Sequence, residues 1–155
     1  MSEDPLAFRV FNEIGIIEQL SRNLFERVLP DGLTLPQFTV LNHFVRLGDE
    51  RSPARLAAAF QVTKQTMTST LARLERAGLV SIRPDDRDGR AKLVSITAKG
   101  RATRHACLEA FAPVLAQLDT ILDAAALQEL LPRLVQLRRT LDENRSLAPE
   151  RSTIA

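Results

Sequence analysis

Apolar residues along the first part of the chain recur at intervals of three and four: Phe8, Phe11, Ile14, Ile17, Leu20, Leu24 and Val28. That spacing lines one face of a helix, so a long amphipathic helix is predicted over residues 6–29. Pro30-Asp31-Gly32 ends it, because proline cannot extend the hydrogen-bond ladder and glycine tolerates a reversal. Thr34 and Gln37 then have the spacing of a capping box, and Phe38, Leu41 and Val45 supply the apolar face of a second helix ending near Leu47-Gly48. Ser52-Pro53 pairs a capping hydroxyl with a proline at the first helical position, opening a short helix through Phe60. After a break at Gln61-Val62, Thr63 caps a helix whose Met67, Leu71 and Leu74 share one face, with Gly78 closing it.

The period then changes. Val80-Ser81-Ile82 and Val94-Ser95-Ile96 each alternate apolar and polar, and the polar, glycine-containing stretch between them makes the pair a predicted β-hairpin. Beyond it Thr97 caps a helix carrying Ala106, Leu108, Phe111, Val114, Leu115, Leu118, Ile121 and Leu122, with a kink expected at Pro113. A last helix over residues 124–142 carries Leu127, Leu130, Leu131, Leu134, Leu137 and Leu141, with a second kink expected at Pro132. From Asn144 the chain is polar and contains Pro149, so residues 144–155 are expected to form a frayed, flexible tail.

Composition narrows the class. At 155 residues, 45% hydrophobic and 26% charged, the chain has the make-up of one soluble unit with a real core. The single Cys107 allows no internal disulfide and has no metal-ligand spacing around it, so a reducing compartment and no metal or other cofactor are expected. The start, Met1-Ser2-Glu3-Asp4, is acidic, and no apolar run reaches the roughly 18 residues of a membrane span, so the expectation is cytoplasmic, without membrane attachment. An enzyme is disfavoured: the only histidines are His43 and His105, and no carboxylate pair, nucleophile constellation or glycine-rich phosphate loop accompanies them.

Net charge is only +2, but its distribution discriminates. Residues 51–105 hold twelve Lys and Arg against four acids, a net +8, while the two ends together carry −6. A cationic block between anionic arms fits a polyanion, since each neutralised phosphate releases counterions; the plain alternative is a solvated basic surface. Two short helices, a tight turn and a hairpin form the order of a winged helix-turn-helix, in which the second helix reads the groove. The expected fold is therefore mainly α with a small β-hairpin wing.

With Met67, Leu71 and Leu74 inward, Gln65, Ser69, Ala72 and Arg76 lie opposite, flanked by Thr68 and Arg73. Gln65 can pair with a base edge, Thr63 and Ser69 can bind phosphate, and Arg73 or Arg76 can do either. Threonine and serine are costlier than Glu, Lys or Ala on a solvated helix, so the hydroxyls among residues 66–70 call for a reason, which groove contact supplies. The helix start at Thr63, Lys64 and Thr66 also favours anions through its free amides and dipole. In the hairpin tip, Asp85-Asp86-Arg87-Asp88-Gly89-Arg90, Gly89 is expected to allow the reversal, with carboxylates holding the guanidinium groups of Arg87 and Arg90 for entry into a minor groove. The alternative is a polar turn whose charges pair with one another.

Residues 33–100 resemble the MarR family of bacterial regulators. The resemblance rests on Leu33-Thr34-Leu35-Pro36-Gln37-Phe38 with Val40-Leu41, Ser52-Pro53 with Leu56-Ala57, and Val62-Thr63-Lys64-Gln65-Thr66-Met67-Thr68. It continues through Leu74-Glu75-Arg76-Ala77-Gly78-Leu79-Val80, the wing residues Asp85, Arg87, Asp88, Gly89 and Arg90, and Val94-Ser95-Ile96-Thr97 with Gly100. It implies a homodimer in which residues 1–33 and 98–143 form helical dimerisation arms and residues 34–97 the DNA-binding region. Two reading helices would enter successive major grooves of a pseudo-palindromic operator, and the function implied is that of a ligand-responsive repressor. The resemblance also implies a small aromatic or lipophilic anionic effector between arms and head, for which Arg22, His43 and Arg46 are the candidates; a lone histidine without partner residues carries no specific signal, so an ordinary surface or half-buried helical histidine is the preferred reading of His43. Some branches of the family sense peroxide through a cysteine near the N-terminal helix; Cys107 lies after the wing instead, which favours a packing role. The rival reading is a winged helix that binds protein and no DNA.

Overall fold

The computed structural model describes residues 4–48 and 51–145. The elements are α1 (Leu6–Glu26), a 3-10 turn (Pro30–Gly32), α2 (Leu35–Leu47), α3 (Pro53–Phe60), α4 (Lys64–Arg76), β1 (Val80–Pro84), β2 (Lys92–Ile96), α5 (Ala98–Ile121) and α6 (Ala124–Glu143). The chain divides into two compact units, residues 1–114 and 115–155, and the division falls inside α5.

In the first unit α1 stops three residues short of the predicted end. Leu29 is extended (ψ 131°) because it precedes Pro30, and it turns inward beside Cys107 and Phe111, with Val28 packed against them. Phe25 and Phe38 meet the Phe111 ring edge-on, at centroid distances of 4.8 and 5.0 Å. The capping box forms as predicted: the Thr34 amide donates to Gln37 Oε1 (2.9 Å) and the Gln37 amide to Thr34 Oγ1 (3.4 Å). Gly48, left-handed at φ 72°, closes α2.

The main core lies under α4. Met67, Leu71 and Leu74 pack on Val40, Leu41 and Phe44 of α2, Leu56 and Ala57 of α3, and Leu79, Val80 and Val94. The strands pair antiparallel, Val80 opposite Ile96 and Ile82 opposite Val94. A further bridge, absent from the sequence reading, joins Arg51 to Val94: the Arg51 amide donates to the Val94 carbonyl (3.1 Å) and the Val94 amide to that of Arg51 (2.8 Å). The short hairpin thereby gains a partner on its other edge.

Thr97 does more than cap α5. Its hydroxyl accepts from the Gly100 amide (3.0 Å) and donates to the Gly78 carbonyl (2.7 Å), while Lys99 Nζ donates to the Ala77 carbonyl (2.8 Å). These bonds tie the start of α5 to the end of α4, whose last carbonyls would otherwise have no helical partner. Gly100 allows the approach: a Cβ there would stand 2.0 Å from the Leu79 carbonyl oxygen. Both prolines expected to kink helices lie within continuous ones, Pro113 in α5 and Pro132 in α6.

The second unit holds the end of α5 and α6. Asp123 caps α6 by accepting from the Ala125 and Ala126 amides (2.9 and 3.3 Å). Leu127, Leu130, Leu131, Leu134 and Leu141 of α6 are exposed. The tail expected to fray lies outside the described residues beyond Arg145. No single helix among the described residues is long and apolar enough to cross a membrane.

Candidate nucleic-acid interface

The turn between α3 and α4 is set by Gln61, left-handed at φ 54°, after which the Val62 amide returns to the Ala57 carbonyl (3.1 Å). Thr63 then caps α4, its Oγ1 accepting from the Thr66 amide (3.1 Å). With Met67, Leu71 and Leu74 buried, Lys64, Gln65, Thr66, Thr68, Ser69 and Arg73 are all exposed, as the helical spacing requires. The hydroxyls, however, are largely committed. Thr68 donates to the Lys64 carbonyl (2.8 Å), Thr70 to that of Thr66 (3.0 Å), and Thr63 to Thr66 Oγ1 (2.8 Å). Back-bonding of this kind accounts for most of the threonines without groove contact, and leaves them only as acceptors. Gln65, Ser69 and Arg73 make no side-chain hydrogen bond or ion pair among the described residues.

The wing corrects one expectation. Its carboxylates hold backbone, not guanidinium groups: Asp85 Oδ1 accepts from the Arg87 amide (2.9 Å) and Asp88 Oδ1 from the Arg90 amide (3.1 Å). The third acid, Asp86, pairs with Arg83 (3.5 Å). Two side-chain-to-backbone turns therefore shape the tip, and Gly89 is not among the residues of positive φ, so the reversal does not depend on it. The Arg87 and Arg90 side chains are left exposed, without an ion pair among the described residues.

Grooves flank α4 on both sides. One, of about 390 Å³, runs between Thr68, Ala72 and Glu75 of α4 and the wing residues Arg83, Gly89, Arg90 and Lys92. Another, of about 550 Å³, brings Arg22 and Glu26 of α1 and Thr34 and Gln37 beside Gln65, Thr66, Ser69 and Arg73. A third, of about 610 Å³, joins Ser52 and Arg55 to Arg83, Asp85, Asp86 and Arg87. Arg55 and Arg83 were only counted as charge in the sequence. Arg83 is on the wing's own first strand, but nothing in the spacing of Arg55 places it beside the wing, because α3 meets the hairpin only in the folded chain.

The three proposed effector residues are given different surroundings. Arg22 lies in the groove beside α4 and is paired with Glu18, its Nε donating to Glu18 Oε1 (2.8 Å). His43 packs against Phe60 instead (ring centroids 5.2 Å). Burial first, then the nearby Arg51 and Arg46, push the His43 pKa down. Arg46 is exposed at the end of α2. Cys107 is fully buried, and burial, with a smaller contribution from Asp31, raises its thiol pKa, the reverse of a reactive thiolate.

Comparison with known proteins agrees with this geometry. The MarR family model matches residues 31–91. Over 98 residues the chain is 40% identical to an HTH-type transcriptional repressor of Mycobacterium tuberculosis, covering 63% of this chain and 68% of that protein. It is 33% identical over 98 residues to the transcriptional activatory protein BadR of Rhodopseudomonas palustris, covering 62% of this chain but only 54% of BadR, so the chain spans about half of that relative. Among solved structures, Escherichia coli MarR complexed with operator DNA superposes with a TM-score of 0.68 and 29% identity, over 81% of this chain and 93% of that one. With the helix-turn-helix, the paired wing and these likenesses together, the chain belongs to the MarR family of winged-helix transcriptional regulators.

Proposed function

We propose that this chain is a sequence-specific double-stranded DNA-binding transcriptional regulator, a homodimer on a pseudo-palindromic operator whose grip a small aromatic or lipophilic anion relieves. The observation that carries the reading is the outer face of α4. Gln65, Ser69 and Arg73 stand exposed without intramolecular partners among the described residues, on a helix locked from behind by Met67, Leu71 and Leu74. A polar face on a rigid support is what base reading requires, since the side chains are positioned before they meet the groove. Arg87 and Arg90 on the wing, with Lys64 at the helix start, supply phosphate and minor-groove contacts, whereas the Thr63 hydroxyl is spent on Thr66. That the Escherichia coli relative is complexed with operator DNA supports DNA as the partner of this chain.

The remaining parts follow from that reading. Leu6, Ile17 and Leu20 of α1 are 74%, 58% and 64% exposed, an apolar stripe that a second copy would cover. The groove shared by Arg22 and Arg73 offers two guanidinium groups to an anion, against the Glu26 carboxylate on the same lining, and occupancy there would compete with DNA for Arg73; His43, beside Phe60, and Arg46, at the end of α2, remain candidates. One relative is named a repressor and another an activatory protein; repression is the reading favoured here, without catalysis, in the cytoplasm where DNA lies. Fluorescence anisotropy with the protein's own upstream DNA at several salt concentrations tests the central claim. Saturable binding is expected, weakening linearly in log affinity against log salt. No saturable binding even at low salt would overturn it and leave a protein-interaction module as the better account.

A further inference from the structure

The amides at the start of α2 allow a complete accounting. Gln37 donates to Thr34 Oγ1, Phe38 to the Thr34 carbonyl (3.0 Å), and Pro36 has no amide hydrogen. The remaining one, Leu35, donates to Glu26 Oε1 at 3.0 Å. Glu26 is the last residue of α1. Among the described residues this is the one side-chain hydrogen bond that joins α1 to any other element, since Gln19, Ser21 and Arg22 bond only within α1. It is also favoured by charge, a carboxylate resting at the positive end of a helix. Glu26 further lines the groove in which Gln65, Ser69 and Arg73 stand. The bond therefore sits where the arm meets the reading face.

We infer that Glu26 is a positioning residue that fixes the angle between α1 and the reading head, and so narrows the half-site spacing that the dimer accepts. The inference rests on the dimeric DNA-binding reading above. If α1 carries the partner contact, the direction in which α1 leaves the head sets where the second α4 lies. Two heads must meet half-sites about one helical turn apart, and one inserted base pair shifts a half-site by about 3.4 Å along the axis and rotates it as well. The apolar cluster of Phe25, Leu29, Phe38 and Phe111, with its edge-on rings, packs the end of α1 against α2 and α5. The hydrogen bond adds a constraint at the last residue of α1, because its strength falls steeply with misalignment.

The test compares wild type with Glu26→Ala and Glu26→Gln on a duplex selected from random DNA by the wild type, on the same duplex with one base pair inserted between the half-sites, and on a single half-site. Wild type should lose about tenfold in affinity on insertion and Glu26→Ala only about threefold, each relative to that protein's own affinity for the uninserted duplex; a change in half-site affinity caused by removing the carboxylate charge should be shared by Glu26→Gln. Glu26→Gln keeps a carbonyl acceptor and should restore the wild-type discrimination. Independently of DNA, the Leu35 amide should exchange with deuterium faster in Glu26→Ala than in wild type. Equal discrimination in wild type and Glu26→Ala, or an unchanged Leu35 exchange rate, would overturn the inference while leaving DNA binding intact. Equal weakening on all three duplexes would reduce Glu26 to a structural residue and overturn it too. A wild type that binds no duplex would overturn the DNA-binding reading, and this inference with it.

Discussion

Within α4, equivalent-looking polar residues are separated by their partners. Three threonine hydroxyls are spent on backbone or on each other, while Gln65 is not, so Gln65 is the residue from which sequence choice is expected. Gln65→Ala should flatten the affinity ratio between operator and random DNA, whereas Arg90→Ala should weaken both, by about 1 to 3 kcal/mol if the guanidinium enters a groove. Competition titrations distinguish the two, and parallel losses for Gln65→Ala would contradict base reading. Glycines divide in the same way. Gly100→Ala collides with the Leu79 carbonyl and should lower stability measurably in urea titration, while Gly89→Ala meets open space at ordinary φ and should be neutral or slightly stabilising. His43 has its pKa lowered from the ordinary 6.5 by burial, then Arg51 and Arg46. As pH falls the unfolded chain takes up this proton first, so the stability it contributes is complete above the unfolded pKa and lost as pH drops through the folded one. His43→Gln should accordingly reduce the acid sensitivity of unfolding as pH falls from above the ordinary imidazole value of 6.5 to below it, and an identical pH profile would contradict it.

Among the elements, α4 is held at both ends by different devices. Thr63 caps its start locally; its end is tied to α5 through Thr97 and Lys99. The cap was legible because a capping hydroxyl acts within three residues of itself, and so were the Thr34–Gln37 box and the Ser52 cap. The ties from Thr97 to Gly78 and from Lys99 to Ala77 span 19 and 22 residues, and no local pattern reports them. Thr97→Val should remove the cap and the tie together, costing about 1 to 3 kcal/mol in denaturant unfolding, more than a lone exposed cap. A cost below about 0.5 kcal/mol would mean that the Gly78 contact contributes nothing.

Across the whole molecule, the exposed leucines and isoleucines of α1 and α6 set the expectation of assembly. Leu20→Asp, at a 64% exposed position, should leave the reading head folded yet yield monomers in sedimentation, with operator affinity reduced to that of a single half-site. Dimers of unchanged affinity would place the interface elsewhere. Periodicity and caps alone determined the element order, the inward face of α4, the hairpin and the cationic middle of the chain, since each rests on interactions within a few residues or on counting charge. Only the tertiary structure decided what crosses between elements. Arg51 joins the sheet, Arg55 comes beside the wing, Arg22 parts company with His43, and Glu26 reaches the start of α2. It also decided that the wing acids shape backbone and leave Arg87 and Arg90 exposed. The reason is physical: a side chain's choice among several hydrogen-bond partners depends on which of them the packed core brings within reach, and sequence separation does not encode that distance.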